Sequence, residues 1–167
     1  GIITSPGGEV NNLNATLATV YYTHSCFLYN NSTTETTYDK NGQHPISTLI
    51  NKYYDNVNHL QPTRTETYGS DGSEITTATS FPNDFASGGV PFIDSMQANH
   101  LIAFPIEQVV YKQKGGVNNI VSGNIITYKA DGRGLPDQLS KLETASPILQ
   151  STFKFSNRST GVLPPSS

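Results

Sequence analysis

The alternation of apolar and polar positions marks the chain as a series of short strands separated by turns. Residues 16–23 are apolar and β-branched and end in Val20-Tyr21-Tyr22, which predicts a buried strand. Cys26-Phe27-Leu28-Tyr29 continues that character until Asn30-Asn31 breaks it. Residues 33–38 read as a strand, with Asn41-Gly42 as a type I′ hairpin turn and 46–54 as the return. The clearest hairpin is the next one. With Asp71-Gly72 as a two-residue turn, Tyr68 falls opposite Ile75, Glu66 opposite Thr77 and Arg64 opposite Thr79. Thr65, Thr67, Thr76 and Ala78 then share the other face. A third hairpin joins 106–114 to 119–128 around Gly115-Gly116, and 152–155 alternates as a short strand.

One strand-and-turn phrase returns three times: Thr37-Tyr38-Asp39-Lys40-Asn41-Gly42, Thr67-Tyr68-Gly69-Ser70-Asp71-Gly72 and Thr127-Tyr128-Lys129-Ala130-Asp131-Gly132. Its tyrosines lie 30 and 60 positions apart. A strand end followed by a glycine turn, repeated at such spacing, predicts stacked hairpins. Helical spacing is confined to two stretches. Residues 91–100 begin with Pro91, which suits the first helical position, and place Phe92, Ile93, Met96 and Leu101 on one face. Leu135, Leu139 and Leu142 fit a second helix over 136–144, and the same stretch also fits an edge strand. The expected fold is therefore mostly β. It consists of antiparallel hairpins in a meander or sandwich-like stack with one or two short helices. Residues 1–14 form an extended entry, 15–160 a single domain and 161–167 a linker.

Composition agrees with that class. Hydrophobic residues are 35% and charged residues 14%, both below the usual ~45–50% and ~25%. Thr, Ser, Asn and Gly fill the difference, which suits solvent-facing strands and tight turns. The net charge of −3 and the absence of a basic run argue against a nucleic-acid partner. No run reaches the ~20 apolar residues of a membrane-spanning helix, and residues 1–9 do not read as a signal peptide. The one cysteine, Cys26, leaves no internal disulfide framework.

Chemistry is sparse. His24 and Cys26 would share a strand face, the arrangement a thiol nucleophile and its base require. Burial of a free cysteine in packing is the commoner role and the one expected here. His24, His44, His59 and His100 show no zinc-ligand spacing. Asp39-Lys40-Asn41 and Asp55-Asn56-Val57 carry fragments of calcium-loop spacing without the remaining ligands, so turn formation accounts for both. The sequons at Asn14, Asn30, Asn31 and Asn157 are expected by chance in so Asn- and Thr-rich a chain. No catalytic, cofactor or metal residue is assigned, and the chain is expected not to be an enzyme. A hydrolase using Cys26 or a carboxylate pair ranks below the other readings. Nine tyrosines, Tyr53 and Tyr111 among them, could form an exposed platform in a carbohydrate- or protein-binding β module.

Three segments resemble large bacterial YD-repeat proteins of the RHS type: Asn51-Lys52-Tyr53-Tyr54-Asp55-Asn56, His59-Leu60-Gln61-Pro62-Thr63 and Thr67-Tyr68-Gly69-Ser70-Asp71-Gly72. Gly134-Leu135-Pro136 and Leu142-Glu143-Thr144 fit the same picture. The similarity runs from about Thr33 onward and is to the irregular β region upstream of the repeat core. Only two Tyr-Asp dipeptides occur, at Tyr38 and Tyr54, and the core motif is missing. The resemblance implies a structural segment of a secreted or bacterial cell-surface protein involved in cell contact or effector delivery. It carries over no catalytic residues and no cofactor. The implied partners are the remainder of a longer polypeptide and, through open sheet edges, further copies of the chain.

Overall fold

Thr, Ile and Tyr dominate the segments between glycine turns, and those segments pair as antiparallel strands. The computed structural model describes residues 3–4, 10–11, 22–24, 26–160 and 163. Near the N-terminus β1 (Ile3–Thr4) pairs with β2 (Val10–Asn11). The main sheet comprises β3 (Ser32–Thr37), β4 (Ile46–Tyr53), β5 (Arg64–Tyr68), β6 (Glu74–Ser80), β7 (Glu107–Lys114), β8 (Val117–Tyr128), β9 (Pro136–Lys141) and β10 (Ile148–Leu149). Strands β3 to β8 lie side by side in chain order. The far side of β8 carries β9 along Asn124–Tyr128 and β10 at Asn119 and Ile120. The architecture is thus mostly β: among the described residues, one eight-stranded antiparallel meander with one helix and two 3₁₀ turns beside the β1–β2 pair.

The repeated phrase is a turn device in all three copies. Gly42, Gly72 and Gly132 adopt φ of +70°, +73° and +75°, a left-handed conformation that favours glycine. The expected two-residue turns at the first two copies are corrected, however. Gly69 N–H donates to Ser73 O at 2.9 Å and Gly72 N–H to Gly69 O at 3.1 Å, so Ser70-Asp71-Gly72 form a three-residue loop. Asp39 and Gln43 frame Lys40-Asn41-Gly42 in the same way. A type I′ turn needs positive φ at both central residues, whereas here only the glycine has it. The pairing therefore shifts by one: Tyr68 faces Glu74, Glu66 faces Thr76 and Arg64 faces Ala78. One residue of slip moves the whole of β6 to the other face. At Gly115-Gly116, with φ of +62° and +79°, the expected third hairpin closes through a two-residue turn that sets Lys114 opposite Val117, two residues earlier than the return strand expected from 119.

Helix α1 spans Pro91–Ala98, with Pro91 in its first turn. It lies in the connection between β6 and β7, where Phe92, Ile93 and Met96 pack with Phe85, Ile106 and Tyr128. Strand alternation puts Ile106 and Tyr128 on one face of the sheet and Val109 and Ile120, both buried, on the other. Residues 136–141 are the edge strand and not the second helix, since their backbone pairs with β8. The strand expected at 152–155 is also absent: Gln150–Thr152 form a 3₁₀ turn, and Phe153 packs edge-on against Phe155. The strand expected at 16–23 falls on residues outside those described, apart from Tyr22 and Thr23, which are exposed.

Candidate functional site

His44, His59 and the short acidic motifs are occupied by local structure. Asp39 accepts the Asn41 and Gln43 N–H groups and pairs with His44 Nδ1 at 2.8 Å. The bond from His44 holds its carboxyl below the ordinary range. Asp55 accepts from Thr63 Oγ1 at 2.6 Å. His59 is buried, with Nε2 3.1 Å from Asp84 Oδ1 and Nδ1 accepting the Gln61 N–H at 3.0 Å. That second bond fixes the neutral tautomer with its proton on Nε2, aimed at Asp84. Asn56 Nδ2 and Phe81 N–H also donate to Asp84, so the group clamps the β4–β5 loop to the turn after β6. His24 and Cys26 lie in irregular chain, both exposed, which corrects the expected burial of the thiol. Among the described residues no three His, Cys, Asp or Glu side chains gather to hold a metal.

Two buried carboxylates that the sequence reading passed over stand out on the face of the sheet opposite α1. Glu66 sits between a tyrosine of its own strand and one of β4: the Tyr68 and Tyr53 hydroxyls each donate to its Oε2 at 2.7 Å. Arg64 approaches Oε1 at 3.4 Å and lies 3.9 Å from the centre of the Tyr53 ring. Burial pushes the Glu66 carboxyl up, but the two phenols and Arg64 outweigh it and hold it below the ordinary range. The same bond pushes the Tyr68 hydroxyl up to about 12. Tyr53 and Tyr111, which the binding-module alternative needs in an exposed platform, are half-buried. The aromatic cluster is instead Phe27 and Tyr29, both exposed, with the half-buried Tyr54 ring 4.8 Å from Tyr29.

Glu107, 4% exposed, lies at the floor of a cleft of about 590 Å³. Its oxygens accept the Ser156 N–H at 3.1 and 3.3 Å, and burial pushes its carboxyl up despite that bond and the opposing charge of Arg158. Beside it Val109, Gly123 and Ile125 form an apolar floor on the same sheet face. Gly123 is the tight point: a Cβ there would meet Leu142 Cβ at 3.4 Å. Further along, Thr127 and its partner Gln138, with Ser140 opposite Ile125, add hydroxyl and amide groups. Phe153 forms a wall, and Lys154 stands exposed at the rim. The cleft thus joins one acceptor held out of water to an apolar floor and uncharged polar groups, a composition suited to binding.

No protein-family model matches the chain, and no curated protein or solved structure matches it either.

Proposed function

We propose that this chain is a structural β module of a larger YD-repeat-type surface protein, joined to its neighbours by strand pairing at β3. The observation that carries the reading is the open edge of β3. All six of its residues are exposed, and among the described residues no strand lies on its outer side. The ladder identifies the free groups. Lys52 N–H donates to Asn31 O at 2.9 Å, so odd-numbered positions of β3 face β4 and even-numbered ones face outward. Ser32 N–H is capped by Asn30 Oδ1, which leaves the outward N–H groups of Thr34 and Thr36 for another strand. An edge kept from pairing commonly carries Pro, Lys or a bulge. Strand β3 has none of these, and Glu35 is its one charge.

Sedimentation velocity over a wide concentration range tests this, with the wild type compared to Thr34→Pro. Proline at that edge position removes an outward donor without touching the β3–β4 ladder. The wild type should associate, and the variant should do so about tenfold more weakly, the effect of losing ~1.4 kcal/mol of backbone hydrogen bonding. A wild type that stays monomeric, or a variant that associates equally well, refutes pairing through β3.

A further inference from the structure

We infer that the cleft over Glu107 is a binding site for a neutral saccharide. Its charges select the ligand class. The buried Glu107 carboxylate, already committed to Ser156 N–H, would repel an anion entering beside it. The ammonium group of Lys154 at the rim would repel a cation. A neutral ligand with many hydroxyl groups meets neither obstacle. Its donors find an acceptor in Glu107, and its donors and acceptors find partners in Gln138, Ser140 and Thr127.

The shape agrees with the charge. About 590 Å³ lies within the ~300–1,000 Å³ of small-ligand sites. Sugars present apolar C–H faces as well as hydroxyl edges, and the cleft offers Phe153 and the Val109–Ile125 floor to such a face. Gln138 makes one long bond of its own, to Ser140 Oγ at 3.5 Å, so its amide is free to turn toward a ligand. The site lies on the β8–β9 side of the sheet, away from the β3 edge, and stands or falls independently of the assembly reading.

Chemical-shift titration of the ¹⁵N-labelled full chain tests the inference, using cellobiose, maltose, lactose and chitobiose, with a glucuronate disaccharide as acidic comparator. At least one neutral sugar should shift the amides of Ile125, Gln138 and Ser140. Gln138→Ala and Phe153→Ala should each weaken that sugar about tenfold. Gln138 is exposed, so Gln138→Ala should keep the wild-type spectrum elsewhere. Three results overturn the inference: no neutral sugar shifts these residues, the glucuronate alone binds, or neutral binding is unchanged in Gln138→Ala.

Discussion

Gly72 and Gly132 have nearly the same backbone angle in very different surroundings. A Cβ on Gly72 would meet nothing within 4 Å, so a substitution there costs only the left-handed conformation. That cost is about 1–2 kcal/mol, and a β-branched residue sits at the upper end. Gly72→Val should lower the melting temperature by roughly 2–8 °C at this chain length. An unchanged melting curve would contradict the turn geometry. At Gly132 a Cβ would also fall 2.6 Å from Asn99 Nδ2, which is bonded to Ser95 O at the end of α1. Gly132→Ala should therefore cost more than Gly72→Ala, although Gly132 is not itself buried. The glycine punctuation was plain in the sequence because only glycine takes these angles freely. The loop length was not, since it depended on whether Asp71 also adopts positive φ.

Within the strands, Glu66 and Glu107 should respond to pH with opposite sign. The folded-state pKa of Glu66 is lowered, so its ionised form contributes stability that is present above the ordinary carboxyl pKa of ~4.5 and lost as pH falls through the folded value. That of Glu107 is raised, so its contribution is present below the ordinary value and lost as pH rises through the folded one. Glu66→Gln should thus destabilise by about 1–3 kcal/mol at neutral pH and have little effect in acid. Glu107→Gln should leave stability unchanged or raised at neutral pH, with any gain fading in acid. Denaturant titrations at several pH values check both, and two variants with the same pH trend would refute the assignment. Neither carboxylate was legible as a site. A Glu on a polar strand looks like a solvent-facing residue, and what encloses these two is set by which face Arg64 and Tyr68 share with Glu66, by pairing with β4 and by Ser156, 49 positions from Glu107. The same limit left β9 open between a second helix and an edge strand. Leu135, Leu139 and Leu142 fit helical spacing, but the unpaired side of β8 beside them favours a strand, and Pro136 is tolerated as its first residue. The helix over 91–98 was legible because Pro91 and the stripe of Phe92, Ile93 and Met96 are local signals.

Across the whole molecule, stability should fall from one side of the sheet to the other. Among the described residues the buried hydrophobic side chains lie on α1, on β7 and β8 and in the segments flanking α1, whereas β3 is exposed throughout and β4 holds no buried residue. Little apolar burial opposes the opening of β3 and β4, so they should open without the rest. Hydrogen exchange can measure this residue by residue. The amides of Thr33, Glu35 and Thr37 point at β4 and should exchange through local opening, while those of Val109 and Ile120 should require global unfolding. Ile93→Ala removes a fully buried side chain beneath the sheet and should cost about 2–5 kcal/mol. It should speed exchange in β7 and β8 by the matching factor and leave β3 almost unchanged. If Ile93→Ala accelerates both sides equally, the sheet is one cooperative unit and the gradient is wrong. Thr34 and Thr36 give a second readout in the same experiment. Their outward amides should exchange freely in dilute protein and become protected as concentration rises, because pairing at the β3 edge supplies the partner each lacks among the described residues.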